Sequence, residues 1–166
     1  MNSQNPLSLS RTLILIKPDG VQRGLVGEIL ARFERVGLKI IGMKLVQINA
    51  EFSKKHYREH IKKNFYPALE KFIIESPVVA LVLEGIDAIQ IARKIVGTTE
   101  PKSAQPGTIR GDFTHQSYEY TITKGIIIKN LVHASANESD AKFEVALWFS
   151  DKELFSYSTV HDKHIF

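Results

Sequence analysis

A chain of 166 residues with 43% apolar content can bury one good core and is short for two independent domains. Lys and Arg outnumber Asp and Glu by 22 to 18; the net charge of +4 suits a polyanionic ligand, but the basic residues are scattered and form no nucleic-acid-binding tail. There is no cysteine, which excludes a disulfide framework, a thiolate metal site and a cysteine nucleophile.

Residues 1–10 are polar and carry no basic stretch followed by a long apolar one, and no later apolar run approaches a membrane span. A disordered N-terminus, a single domain over 11–166 and a cytoplasmic protein are the expectations. Residues 12–17 (TLILIK) read as a buried strand that ends at a Pro18-Asp19-Gly20 turn. Val26, Ile29, Leu30, Phe33 and Val36 then recur at helical spacing and stop at Gly37. Residues 38–48 alternate as a second strand, 53–61 and 66–74 read as two short helices, 77–83 (PVVALVL) as a buried strand, and 86–96 as a helix ending at Gly97.

Residues 98–111 (TTEPKSAQPGTIRG) lack periodicity and mark a long ordered loop of functional interest. Residues 118–129 have strand-like composition around Gly125 and suggest an inserted hairpin. Residues 130–133 end a strand, Ser135 to Glu138 resembles a capping box, and a helix runs on through Phe149. The order suits an α+β, ferredoxin-like antiparallel sheet with helices on one face.

Neither G-x-x-x-x-G-K-[ST] nor G-x-G-x-x-G occurs, so any phosphate would be held by side-chain cations. Lys17 stands at a strand end, where a long cation can reach into a site or lie in solvent. Arg110, enclosed by Gly107 and Gly111, can fork onto phosphate oxygens or tie down its own loop. Arg93 lies on the helix just before that loop. His133 ends an apolar strand, and Glu144 on the next helix can accept a hydrogen bond from one imidazole nitrogen and leave the other as a nucleophile. A further match, H-x-x-E-H at 56–60, has the pattern of a zinc-protease helix, but no convincing third ligand follows it.

The chain resembles the nucleoside diphosphate kinase family through IKPDGVQRG at 16–24, Arg32-Phe33-Glu34 with Gly37, His56-Tyr57, SPVV at 76–79, Glu84-Gly85, PGTIRGDF at 106–113, Asn130 with His133 and Ser135, Glu144, and Trp148-Phe149. The resemblance implies a ferredoxin-like core, a Mg²⁺-nucleotide substrate, a homo-oligomer (hexamer or tetramer) and ping-pong phosphoryl transfer through a phosphohistidine at His133. It carries phosphate contacts onto Lys17, Arg93, Thr99 and Arg110, base stacking onto Phe65, and sugar contacts onto Asn130 and Lys17. Tyr57 is placed beside the histidine, and Ser135 and Glu144 support it; no protein metal ligand is implied, the ion being held by the nucleotide phosphates. Stacking on an aromatic accepts any base, so purine and pyrimidine diphosphates should all be substrates; a preference beyond roughly a hundredfold, about 2.7 kcal/mol, would contradict this.

Two departures stand out. Where the family usually reads N-x-x-H-G-S-D, this chain has Ala134 and Ala136, and about ten extra residues lie between Phe113 and Asn130, an insertion at about 114–129. Ala134 is tolerable where its backbone stays out of the left-handed region. Two competing readings are a ferredoxin-like RNA-binding module and a family member that has become an inactive scaffold. The first would need base-stacking aromatics in the central strands, and residues 12–17 and 77–83 contain none. The second would lack a nucleophile or a phosphate cation, and here each is present.

Overall fold

The computed structural model describes residues 9–165. Its centre is a four-stranded antiparallel sheet in the order β2-β3-β1-β4, built from β1 (Leu9–Ile16), β2 (Lys39–Val46), β3 (Val78–Ile86) and β4 (Val132–Ala134). Between β1 and β2 lie α1 (Pro18–Gln22) and α2 (Val26–Glu34); between β2 and β3 lie α3 (Ala50–His56) and α4 (Tyr66–Ile73). The chain crosses from β3 to β4 through α5 (Ala88–Val96), α6 (Ile109–Phe113) and α7 (Tyr118–Lys124), and closes with α8 (Glu138–Trp148) and α9 (Asp162–Ile165). This is the expected ferredoxin-like α+β arrangement, with the two crossovers carried by α2 and α5.

Helices cover both faces of the sheet, which corrects the expectation of one covered face. Ile14, Ile16, Leu81 and Leu83 pack against Ile29 and Phe33 of α2 and Ala92 and Val96 of α5. On the opposite face Leu13, Leu15, Ala80 and Val82 meet Leu69 and Phe72 of α4 and Trp148 of α8. The reason lies in the strands: β1 from Leu13 to Ile16 and β3 from Ala80 to Leu83 are apolar at every position and fully buried. Such runs expose apolar groups to either side and need cover on both.

Several boundaries move. The Pro18-Asp19-Gly20 turn is the first turn of α1, with proline at its start, where the missing N–H costs nothing. Gly20 lies so close to Ile16 and the Leu131 carbonyl that an added Cβ would collide with Ile16 Cγ2 at 2.7 Å. The expected hairpin is absent: residues 118–124 form a helix capped by Ser117, whose hydroxyl accepts the Tyr120 N–H at 3.2 Å. Gly125, at φ +63°, ends that helix as a left-handed cap, and the Ile126 N–H returns to the Thr121 carbonyl at 3.0 Å. The start of α8 is capped by Asn137, not by a box at Ser135, through the Asp140 N–H at 2.9 Å. Of the expected disordered N-terminus, residues 1–8 lie outside the described residues, while Leu9 and Ser10 already belong to β1 and pair with Ile86 and Gly85. After Ser150 the chain runs back along β2, where the Phe155 N–H bonds to the Ile41 carbonyl at 2.8 Å. Among the described residues no helix is long and apolar enough to cross a membrane.

Candidate active site

The C-terminal end of β1 and the short strand β4 set the site. Residues Ile14, Leu15 and Ile16 pair with Ala134, His133 and Val132, and the ladder is extended by the Lys17 N–H on the Leu131 carbonyl at 2.8 Å. Lys17 and His133 therefore project from adjacent, hydrogen-bonded strands whose spacing is fixed at about 4.8 Å. Leu131 has φ +68°, a left-handed geometry unusual for leucine. It is held there by Asp19, buried in α1, whose carboxylate accepts the Leu131 N–H at 3.0 Å. Asp19 is a positioning residue that the sequence reading passed over as part of a turn.

A cleft of about 550 Å³ opens beside these strands and is lined by Lys17, Arg93, Arg110, Asn130 and His133. Tyr57, Phe65 and Thr99 line it too, so eight of the ten residues singled out from sequence border one cleft. The other two, Ser135 and Glu144, stand behind His133. The volume is in the range of small-molecule sites.

Lys17 is buried, and its ammonium donates to Asn130 Oδ1 at 2.7 Å, while the Asn130 amide donates to the Thr99 carbonyl at 2.8 Å. Burial first, and then the nearby Arg110 charge, push the Lys17 pKa down to about 8. In the unfolded chain the same group titrates near 10.5, so between these values the unfolded state binds the extra proton. Below about pH 8 the folded protein carries the full cost of burying the charge, and that cost is relieved as pH rises through 8 toward the unfolded value. Stability should rise by about 2 kcal/mol between roughly pH 7.5 and 9.5. Urea unfolding at the two pH values, with Lys17→Met lacking the gain, checks this.

Arg110 uses all three guanidinium nitrogens on backbone carbonyls: Nε on Asn130 at 3.1 Å, Nη1 on Gly97 at 2.9 Å and Nη2 on Val132 at 2.6 Å. Burial and the neighbouring Arg93 lower its pKa to about 10, so it stays charged at neutral pH. Of the two roles open in the sequence, the tie to its own surroundings is made here, and the remaining N–H of each terminal nitrogen is left for a ligand. The loop around it is locked by Arg32, which donates to the Gly107 carbonyl and to Asp112. Gly111 is needed because a Cβ there would strike the Gln105 carbonyl oxygen.

His133 Nε2 lies 2.9 Å from Glu144 Oε1, and the other Glu144 oxygen accepts the Ser135 hydroxyl at 2.6 Å. Ser135 in turn accepts the Leu13 N–H at 3.1 Å, which anchors the chain of bonds in the central strand. With Glu144 ionised, Nε2 carries the ring proton and Nδ1, which has no partner among the described residues, keeps a free lone pair. Tyr57 stands edge-on to the imidazole at 6.4 Å between ring centres, its hydroxyl buried and unpartnered; burial, with Glu144 nearby, pushes that phenol's pKa up. Ala134 has ordinary strand geometry, since the only non-glycine residues at positive φ among those described are Asp87 and Leu131.

His56, matched in sequence but given no role, packs edge-on against His133 at 4.7 Å, and its Nδ1 accepts the Trp148 N–H at 3.2 Å. Burial, and then the neighbouring His133, hold its pKa well below the usual histidine value, so it is neutral. The helix α3 ends at His56, so Glu59 and His60 do not share its helical face and the zinc-helix pattern has no helix to act from. His56, His133 and Glu144 do bring ligand-type atoms within 4.8 Å of one another, but Trp148 and the His133–Glu144 bond already engage them. Among the described residues lining the main cleft there is no carboxylate.

Comparison with known proteins gives a consistent result. The family model described as "Nucleoside diphosphate kinase" matches residues 10–154. A relative from Borreliella burgdorferi named nucleoside diphosphate kinase is 47% identical over 155 residues, covering 90% of this chain and 92% of its own. One of the same name from Thermus thermophilus is 51% identical over 146 residues, covering 88% and 99%. Among solved structures, a transition state mimic of nucleoside-diphosphate kinase from Borrelia burgdorferi with bound vanadate and ADP superposes with a TM-score of 0.91 at 44% identity, covering 95% of this chain and 96% of that one. With the fold, the cleft and this similarity in agreement, the chain belongs to the nucleoside diphosphate kinase family, an enzyme family.

Proposed function

We propose that this enzyme moves the terminal phosphoryl group of a nucleoside triphosphate onto a nucleoside diphosphate through a phosphorylated His133, within one domain over residues 11–166. The observation that carries the reading is the pairing of His133 Nε2 with Glu144 while Nδ1 stays free in a cleft lined by three cations. Nδ1 attacks the terminal phosphorus, the bond to the bridging oxygen breaks, and the diphosphate leaves. A second diphosphate then attacks the phosphorus through a terminal oxygen, and the N–P bond breaks. A phosphoramidate keeps a transfer potential near that of an anhydride, so histidine can return the group, whereas a serine ester would trap it.

As the N–P bond forms, positive charge builds on the ring. The Glu144 carboxylate accepts the Nε2 proton's hydrogen bond and offsets that charge. Lys17, Arg93 and Arg110 are placed for the charge on the equatorial oxygens, and the unpartnered Tyr57 hydroxyl beside His133 is placed to donate to the transferred group. Phe65, 46% exposed at the cleft, offers a face for any base. Asn130 and Lys17 serve the sugar hydroxyls, and Thr99 a phosphate.

The same reading takes Mg²⁺ as the metal and the cytoplasm as the compartment. A cleft lining without carboxylates fits an ion that arrives on the nucleotide phosphates; when bound, it neutralises phosphate charge. A homo-oligomer is part of the proposal, supported by the edge strand β2, where Met43 and Leu45 are 57% and 64% exposed.

Intact mass measurement after brief exposure to Mg-ATP tests the reading: one acid-labile phosphoryl group should appear and be discharged by GDP. A folded protein that stays unlabelled would favour the scaffold reading. Glu144→Gln keeps the hydrogen bond and removes the charge, and should lower kcat by about 10²-fold. A coupled assay with nucleotide affinity measured alongside checks it; an unchanged kcat would contradict the role given to Glu144.

A further inference from the structure

The two oxygens of the buried Asp19 carboxylate in α1 are used differently. One accepts the Leu131 N–H at 3.0 Å. The other is buried and has no hydrogen-bond partner among the described residues. A carboxylate oxygen is costly to bury without a donor, so its charge has to be offset in another way.

The first oxygen holds a strained turn. Leu131 has φ +68°, and the Val132 N–H returns to the Asn130 carbonyl at 2.8 Å, closing a three-residue γ-turn of the rare positive-φ form. Leu131 is tied to the end of β1 at both of its main-chain groups, the N–H to Asp19 and the carbonyl to the Lys17 N–H. The turn brings the Asn130 side chain to the Lys17 ammonium and the Thr99 carbonyl, and the carbonyls of Asn130 and Val132 to Arg110.

The second oxygen contributes charge. The charged and titratable groups around Lys17 are Arg110 of α6, Arg93 of α5, Tyr118 of α7, His133 of β4 and, from α3 and the turns after it, His56, Tyr57 and His60. Glu144 of α8 is engaged by His133 and Ser135. Burial pushes the pKa of Lys17 down to about 8 and that of Arg110 to about 10, and in each a neighbouring arginine adds to the push; the Asp19 charge opposes it in both.

We propose that Asp19 is a positioning residue of the phosphate site: one oxygen seats Asn130 against Lys17 through the turn at Leu131, and the other is the internal counter-charge that keeps Lys17 a cation beside Arg110. The inference rests on the phosphotransfer reading, whose cations it serves.

The test compares Asp19→Asn and Asp19→Ala with the wild type. Asparagine keeps an acceptor for the Leu131 N–H and removes the charge. Without the anion Lys17 gives up its proton at lower pH, so its hold on phosphate weakens sooner as pH rises. The calorimetric ADP affinity of Asp19→Asn, taken relative to the wild type so that ADP's own ionisation cancels, should fall about threefold more at about pH 8.5 than at about pH 6.5. Alanine also loses the acceptor and should lower kcat about 10²-fold, of which asparagine should recover about tenfold. A ratio of affinities that does not change with pH would overturn the counter-charge, and equal kcat in the two variants would overturn the hold on the turn. Lower melting temperatures with kcat per folded molecule and the pH profile unchanged would mark Asp19 as merely structural and overturn both. If Asp19→Ala does not fold, the pH dependence of Asp19→Asn still decides. Failure of the wild type to take a phosphoryl group from Mg-ATP would strike the phosphotransfer reading alone, because ADP calorimetry needs no transfer.

Discussion

Replacing His133 by alanine is expected to lower kcat/KM for phosphoryl exchange by about 10⁴-fold or more and to remove the acid-labile phosphoenzyme. No other group in the cleft can take over. The chain has no cysteine, and burial pushes the Tyr57 phenol's pKa up, which keeps it protonated and weakly nucleophilic. His56 has Nδ1 committed to Trp148 and its other nitrogen buried. His60 lies at the cleft, stacked on Tyr57 at 6.2 Å, without a carboxylate partner comparable to Glu144. The fold should survive, since His133 is on a short edge strand and its main-chain pairing with Leu15 does not use the side chain. Rapid-quench labelling with radioactive ATP decides the matter; a labelled His133→Ala protein would transfer the nucleophile's role elsewhere.

The second large effect belongs to stability. Arg110→Met should cost about 4 kcal/mol, because three carbonyls lose a charged donor at once and at least two of the bonds are buried. These carbonyls, on Gly97, Asn130 and Val132, come from the two chain segments that frame the cleft, so the same change should loosen the phosphate site. Arg110→Lys keeps the charge yet reaches only part of the fork and should recover less than half of the loss. Denaturant midpoints for the two variants, compared with the parent at a pH where Lys17 is charged, measure it. A cost below about 1 kcal/mol would mean that Arg110 serves the ligand alone.

Much of this molecule was legible in its sequence because burial leaves a periodic trace. The β1 and β3 runs, α2 with its stop at Gly37, and α5 with its stop at Gly97 stand close to where periodicity and glycine put them. The unbroken apolar character of the same runs is the trace of cover on both faces, which the expectation of one covered face left out. The inserted helix was hidden: Thr121, Ile122 and Thr123 have strand composition, and Gly125 has the same left-handed freedom whether it turns a hairpin or ends a helix. Context decides that case, since Ser117 caps the helix and Glu100 takes the Tyr118 N–H. The charged and nucleophilic residues that share the cleft could be picked out as a group because they sit at strand ends or among glycines. Asp19, Leu131 and His56 could not, as their roles arise from contacts across more than ninety positions of chain. The course after Ser150 has no periodicity; along β2 it is held by one main-chain bond, from the Phe155 N–H to the Ile41 carbonyl, and by side-chain contacts of Glu153 with Lys44 and of the Tyr157 hydroxyl with the Ile40 carbonyl.

The three-residue strand that carries His133 has a consequence for how such a chain can change. Its register is dictated by β1, through the pairs at Ile14, Leu15 and Ile16 and the bonds from Lys17 and Leu13, and not by the length of chain that leads to it. Residues can therefore be added or lost between Phe113 and Asn130 while the nucleophile stays in step with Lys17. The chemistry and the vestibule in front of it are mechanically uncoupled, so one can be remodelled in evolution or by design without retuning the other.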